Sequence, residues 1–315
     1  MTRPRAVFFG TPDFAATVLR RLLAADSPVE IAGVVTQPDR PVGRSARPVP
    51  PAVKVLAAEH GLPVLQPLAV RRPAFLTALQ RLRPKLGILA AYGRILPPDV
   101  LAAAPHGFLN VHASLLPRWR GAWPVGAAIM AGDTETGVSI MRMDEGMDTG
   151  PVLTQRAEPI DSHDTTATLE PRLAALGAEL LVQTIPGYLT GQVTARPQDD
   201  RRATYCTMVR KADGLIDWRK PATALEPFIR AMQPWPVAWT TWEGKQLRIL
   251  AARPVPQGGA PPTPGLVVPH GKGAAVVTGA GLLALEQVQL EGRSAVPVAA
   301  FVNGYRRFLG SHLGD

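Results

Sequence analysis

Along the first half of the chain, short apolar runs alternate with stretches of helical periodicity. The run at 6–10 (AVFFG) precedes a helix over 14–25, and the run at 31–36 (IAGVVT) precedes a helix near 53–60. This is a βαβ rhythm. It continues through apolar runs at 86–91 (LGILAA) and 108–112 (FLNVH), a helix near 125–131 and a further run at 137–143 (GVSIMRM). The pattern predicts a doubly wound α/β domain whose mostly parallel sheet is covered on both faces. Ligands of such sheets bind beyond the carboxyl ends of the strands, so the residues just after each apolar run are the ones to inspect.

A helix rich in Ala and Leu over 165–188 closes this first domain, and 190–203 shows no periodicity. The expected division is a first domain over 1–190, a linker over 191–206 and a second domain over 207–315. In the last part a helical segment at 222–232 leads to Trp235, Trp239 and Trp242, then to short apolar runs separated by Gly and Pro, with a surface loop at 258–265. Many short strands punctuated in this way predict a small β-barrel of the OB-like kind.

At 315 residues, with 46% hydrophobic and 19% charged residues, the chain has the composition of a folded protein with two cores. No apolar run approaches the roughly 20 residues needed to span a bilayer, and Gly10 and Pro12 interrupt the N-terminus before a signal-peptide core forms. A cytoplasmic location, no membrane association and a monomer are expected. The single cysteine, Cys206, cannot form an internal disulfide or a thiolate metal site, and reads as an ordinary thiol. The net charge of +9 is unevenly spread: Lys and Arg outnumber Asp and Glu 14 to 6 over 1–100 and 14 to 7 over 201–315, but are outnumbered 6 to 12 over 101–200. Two basic ends around an acidic middle suit a protein that holds a polyanion at its flanks while a small site works between them.

The most informative segment begins at Gly107 (GFLNVHASLLPRWRGAWP), where an apolar strand ends in Asn110 and His112. Residues i and i+2 of a strand share a face, so the two polar side chains converge at the strand's carboxyl end. An amide there holds a developing oxyanion, and an imidazole supplies a proton, removes one or polarises the same oxygen, a pairing suited to acyl-type transfer. The run at 137–143 leads into DEGMDTGP, whose Asp148 is the best placed of Asp144, Glu145 and Asp148 to orient His112 or accept a proton through water. The remaining histidines have no metal-ligand spacing, so no metal is expected. Gly10 is followed by TPDF without a full G-x-G-x-x-G, and no phosphate-binding G-x-x-x-x-G-K-[ST] occurs, which disfavours NAD and ATP.

Taken together, FFGTPDFA (8–15), TQPDRPVGR (36–44), AAYGRILP (90–97), NVHASLLPRWRGAWP (110–124) and MDEGMDTG (143–150) resemble the methionyl-tRNA formyltransferases, within the wider group that uses 10-formyltetrahydrofolate. The resemblance covers nearly the whole chain. It implies a Rossmann-like formyltransferase domain followed by an OB-like C-terminal domain, with methionyl initiator tRNA as formyl acceptor, tetrahydrofolate as product and no metal. It also implies site residues: Asn110 holding the formyl oxygen, His112 as proton donor or charge stabiliser, and Asp148 orienting the pair and promoting proton loss from the amine. Ser114, Leu115, Leu116 and Pro117 correspond to the folate-binding stretch; Ala90, Ala91, Tyr92, Gly93 and Asp144 resemble the segments around the pterin. The loop carrying Arg40, Arg44, Arg47 and Lys54 corresponds to one that contacts the tRNA acceptor end, and Arg210 and Lys211 belong to the basic start of the second domain.

Formyltransferases acting on sugar nucleotides or glycinamide ribonucleotide, and hydrolases of the formyl folate, share the Asn, His and Asp set. The GTPDFA start and a basic C-terminal half argue for tRNA, because a small substrate has little use for Arg201, Arg202, Arg210, Lys211, Arg219 and Lys220. A nucleic-acid-binding module without catalysis would have no need of the three polar residues.

Overall fold

A computed structural model describes residues 3–41, 47–256 and 263–314. The apolar runs of the first half become strands, and the periodic stretches become the helices between them. In chain order these are β1 (Arg5–Gly10), α1 (Asp13–Leu22), β2 (Glu30–Val35), the short β3 (Arg40–Pro41) and β4 (Pro48–Val49), α2 (Ala52–Glu59), β5 (Val64–Leu65) and α3 (Pro73–Arg81). They are followed by β6 (Leu86–Ala90), α4 (Pro98–Leu101), β7 (Phe108–His112), β8 (Arg120–Gly121), α5 (Pro124–Met130), β9 (Glu135–Arg142), β10 (Val152–Pro159), α6 (Thr166–Leu189) and β11 (Tyr205–Cys206).

Seven strands form one sheet in the order β10-β9-β7-β6-β1-β2-β5. The pairs among β5, β2, β1, β6 and β7 are parallel; β9 and β10 join antiparallel. The order reverses beside β1, so the ends of β1, β6 and β7 open on the crevice where such folds take ligands. Gly10 ends β1 at a close approach: a Cβ there would lie 2.5 Å from Ala15 Cβ and 2.9 Å from the Ala90 carbonyl, which only glycine permits. The core beneath this crevice gathers Phe9, Phe75, Tyr92 and Phe108, with the Phe9 ring edge-on to the other three. Strand alternation puts Phe108, Asn110 and His112 on one face of β7; Val111, on the other face, packs over Gly177 of α6.

Contacts group the chain into two units. The first takes Met1–Pro124, Glu135–Pro159 and Glu170–Thr207; the second takes Val125–Thr134, Ile160–Leu169 and Met208–Asp315. The stretch expected as a linker over 191–206 is in large part built into the first unit. Arg196 exchanges two main-chain hydrogen bonds with Val152 at 2.8 Å each, and β11 pairs in parallel with β8. A linker would carry neither.

The second unit contains α7 (Ala222–Ala231), β12 (Ala238–Trp242), β13 (Lys245–Val255), β14 (Val267–His270), β15 (Gly273–Val277), β16 (Leu282–Leu290), β17 (Val296–Pro297) and α8 (Val298–Gly304). Its strands pair antiparallel in the order β12-β13-β16-β15-β14, with β17 on β16. Among the described residues no pairing closes this sheet, so what the structure shows of the expected OB-like β-barrel is its antiparallel sheet. Trp242 is buried edge-on against Phe301, Tyr305 and Phe308, whereas Trp235 is exposed. Residues 258–262 of the expected surface loop lie outside the described residues. No helix among the described residues is long and apolar enough to cross a membrane.

Candidate active site

Asn110 and His112 end β7 on its core-facing side, each only 6% exposed. The loop after β9 brings Asp148 onto both. Asn110 Nδ2 donates to Asp148 Oδ1 at 3.2 Å, and Asp148 Oδ2 lies 3.6 Å from His112 Nδ1, too long for a hydrogen bond. Gly121 N–H donates to the same Oδ2 at 2.8 Å. That bond depends on glycine, because Gly121 has φ +118° and a Cβ there would overlap the Cys206 carbonyl at 2.0 Å. On the far side of the imidazole, His112 Nε2 donates to the Trp119 carbonyl at 2.9 Å, since a carbonyl only accepts. Asn110 Oδ1 is buried with no hydrogen-bond partner among the described residues. A buried acceptor without a donor calls for one from a ligand or water.

The 114–117 stretch is a turn braced from beneath. Ser114 Oγ donates to the Arg118 carbonyl at 2.6 Å, and the buried Ser139 hydroxyl donates to the Ser114 carbonyl at 2.6 Å while accepting the Leu116 N–H at 3.0 Å. Gln155 Nε2 donates to both the Leu116 carbonyl and Ser139 Oγ, at 2.8 Å each. Leu116 is buried and Leu115 and Pro117 are half-buried. Ser139 and Gln155 escaped the sequence reading; as lone polar residues in strands they carry no local signal.

The expected pterin segment divides. Ala90 is buried at the end of β6, and Ala91 and Gly93 turn with φ +44° and +77°. Tyr92 between them sends its side chain into the core, 1% exposed, where burial pushes its phenol up to about 12. Its carbonyl is taken by Thr11 Oγ1 at 3.2 Å and Gln37 Nε2 at 2.9 Å. Tyr92 therefore holds the floor of the crevice and offers no side chain to a ligand. Asp144 caps its own loop, accepting from Gly146 N and Thr149 Oγ1.

Of the basic residues, Arg40 and Arg47 are exposed, and Arg44 lies outside the described residues. Lys54 is committed to Asp39, with Nζ 2.7 Å from Oδ2; Gln66 and Lys54 together hold that carboxyl below its ordinary range. Arg210 and Lys211 are exposed in the second unit. Two cavities in the first unit, of about 570 and 540 Å³, contain none of Asn110, His112 and Asp148; the second runs from Thr11 and Gln37 to Arg40 and Pro51. Burial pushes the Cys206 thiol up to about 11. No group of three or more His, Cys, Asp and Glu among the described residues is placed to hold a metal.

The chain as a whole is similar to known proteins. A family model described as formyl transferase matches residues 4–185, and one described as formyl transferase, C-terminal domain, matches 208–306. The methionyl-tRNA formyltransferase of Roseiflexus castenholzii is 47% identical over 310 residues, covering 98% of this chain and 99% of its own. Phosphoribosylglycinamide formyltransferase from Bacillus halodurans matches at a TM-score of 0.51 with 28% identity, over 59% of this chain and 95% of that one. HypX from Aquifex aeolicus in complex with tetrahydrofolic acid shares the fold at a TM-score of 0.61 with 17% identity, over 98% of this chain and 48% of that one. The chain belongs to the formyl transferase family and, within it, to the methionyl-tRNA formyltransferases.

Proposed function

We propose that the protein transfers the formyl group of 10-formyltetrahydrofolate to the free amino group of methionyl initiator tRNA, giving N-formylmethionyl-tRNA for translation initiation. The observation that carries this reading is the meeting of Asn110, His112 and Asp148 in a chain of this family. The folate supplies an activated formyl group. Attack of the amine on its carbon puts negative charge on the formyl oxygen and a surplus proton on the nitrogen. Asn110 donates an amide N–H to that oxygen, and His112 adds a proton or positive charge beside it. Asp148 keeps the amide and the imidazole aligned and receives the amine's proton through water. Breaking the bond from carbon to N10 releases tetrahydrofolate, with N10 taking a proton.

The turn at Ser114, Leu115, Leu116 and Pro117 and the main chain around Ala90, Ala91 and Gly93 hold the folate; Asp144 shapes the loop beside it. The unpartnered Asn110 Oδ1 fits a ligand that brings an N–H, as the amine does. Arg40, Arg44 and Arg47 contact tRNA phosphates from the first unit, and Arg210 and Lys211 from the second, which acts as an OB-like tRNA-binding domain. Lys54 contributes less, its charge being offset by Asp39. The active species is a cytoplasmic monomer.

The test offers the purified protein 10-formyltetrahydrofolate with methionyl initiator tRNA, methionyl elongator tRNA or no tRNA, and follows formyl-methionine and free formate. Formyl-methionine on the initiator alone is expected. Equal formylation of the elongator would refute the acceptor assignment, and formate release without tRNA would indicate a hydrolase.

A further inference from the structure

Asp148 holds an unusual backbone conformation for a residue asked to aim a carboxylate at two partners. Its φ of +56° lies in the left-handed region, which L-residues enter only when their surroundings fix them there, although Asp tolerates it better than most. The surroundings that do so come from the stretch after α6. Gln198 Nε2 donates to the Asp148 carbonyl at 2.8 Å and to the Gly150 carbonyl at 2.7 Å, clamping the loop on both sides of Thr149. The other end of the same amide is held as firmly. Gln198 Oε1 accepts from Arg120 Nε at 3.0 Å and Nη2 at 2.9 Å, so both donors and both acceptor positions of the amide are used.

Arg120 is itself 1% exposed and bound on every side. Its Nη2 also reaches Asp200 Oδ1 at 2.7 Å, its Nη1 reaches the Tyr205 hydroxyl at 3.3 Å, and its guanidinium lies over the Tyr205 ring. A buried guanidinium with so many partners has one orientation, which it passes to the amide it holds. The residue after it, Gly121, donates to the Asp148 carboxylate. The side chain of Asp148 is thus fixed through Gly121 and its main chain through Gln198, both from one anchored arginine.

We infer that Gln198 is a positioning residue for the formyl transfer: it holds Asp148 in its left-handed conformation so that the carboxylate meets Asn110 and His112 together. The inference rests on the catalytic reading of Asp148. A shift of about 1 Å in an aligned group costs on the order of 10²-fold in rate, and the residues proposed to contact folate and tRNA are other than Asp148 and Gln198. Gln198→Ala is therefore expected to lower kcat by about 10²-fold with KM for either substrate little changed, and to alter the pH dependence of kcat.

A double-mutant comparison separates this from general damage. With Asp148→Asn already present, adding Gln198→Ala should cost little more, because the group it positions no longer works. Losses that multiply, or a wild-type kcat for Gln198→Ala, would overturn the inference. Should Gln198→Ala not fold, Gln198→Glu keeps the shape and an oxygen to accept from Arg120 but lacks the two N–H donors. It should show the same kcat-selective loss, and normal turnover in that variant would equally refute the proposal. Asp148→Asn measured alone tells the two failures apart: full activity there removes the reading of Asp148, whereas a slow Asp148→Asn beside a fast Gln198→Ala removes only the role of Gln198.

Discussion

Asn110 has one amide N–H committed to Asp148 and its oxygen uncommitted, which leaves it able to engage a reacting group on either side. Asn110→Ala should therefore reduce kcat by about 10²- to 10³-fold, the cost of one oxyanion donor, and His112→Ala should also be severely slowed. Both should keep tRNA binding and the fold, read by filter binding and circular dichroism; near-normal turnover in either folded variant would remove it from the mechanism. Cys206 makes the opposite case, a reactive side chain made inert. It is 7% exposed, and burial pushes its thiol up to about 11 against an ordinary value near 8.5. Because the folded value is the higher one, the stability this thiol contributes is full below about pH 8.5 and declines as the pH rises towards 11. Iodoacetamide at pH 8 should label Cys206 slowly in the native protein and rapidly after denaturation. Fast native labelling would show that the thiol is not sheltered as described.

The turn after β7 depends on an element far from it in sequence. Ser139 of β9 is fully buried, and its hydroxyl serves the Ser114 carbonyl, the Leu116 N–H and Gln155. Ser139→Ala leaves a buried N–H and a buried carbonyl without that partner, at a cost of about 1–3 kcal/mol. A melting temperature lower by several degrees is expected, along with weaker binding of a folate analogue by titration; an unchanged melting curve would show that the brace is dispensable. The elements that sequence made legible are those with strong periodicity. Asn110 and His112 stood out because polar residues two apart end an apolar run, and β7 indeed aligns them on one face. Asp148 was legible as a glycine-flanked acid after the next strand. What stayed hidden is held by partners remote in sequence. β10 is an edge strand whose exposed Gln155, Arg156 and Ala157 blur its alternation. The stretch from Arg196 to Cys206 is ordered by pairing with β10 and β8, not by any pattern of its own. Tyr92 was named only because its segment resembles the one around the pterin; after Ala91, whose φ is positive, its ring enters the core.

At the scale of the whole molecule the chain does not divide at one point. The second unit takes 125–134 and 160–169 from the half that sequence assigned to catalysis, and within it Thr166 Oγ1 donates to the Ala231 carbonyl at 2.7 Å and Arg230 Nη1 to that of Asp164 at 2.8 Å. Such interleaving follows from long-range contacts that local composition cannot announce. Charge, in contrast, was legible throughout, and it supports a prediction for the intact protein. With a net charge of +9 and exposed Arg40, Arg47, Arg210 and Lys211, binding of methionyl-tRNA should release counterions for every phosphate neutralised. Not every cation counts equally: Lys54, Arg201 and Arg219 are already paired with Asp39, Asp199 and Asp217. A plot of log affinity against log salt should be linear and steep, and removing Arg210 or Lys211 should lower its slope by about 1 for each phosphate no longer neutralised. Lys54→Ala should change the slope less, since its ammonium faces Asp39. Folate binding, whose proposed segments at 90–93 and 114–117 carry no charged side chain, should vary less over the same salt range. A slope near zero, or one untouched by Arg210→Ala and Lys211→Ala together, would mean that these residues do not meet the polyanion, and the tRNA-binding surface would then have to be sought elsewhere on the chain.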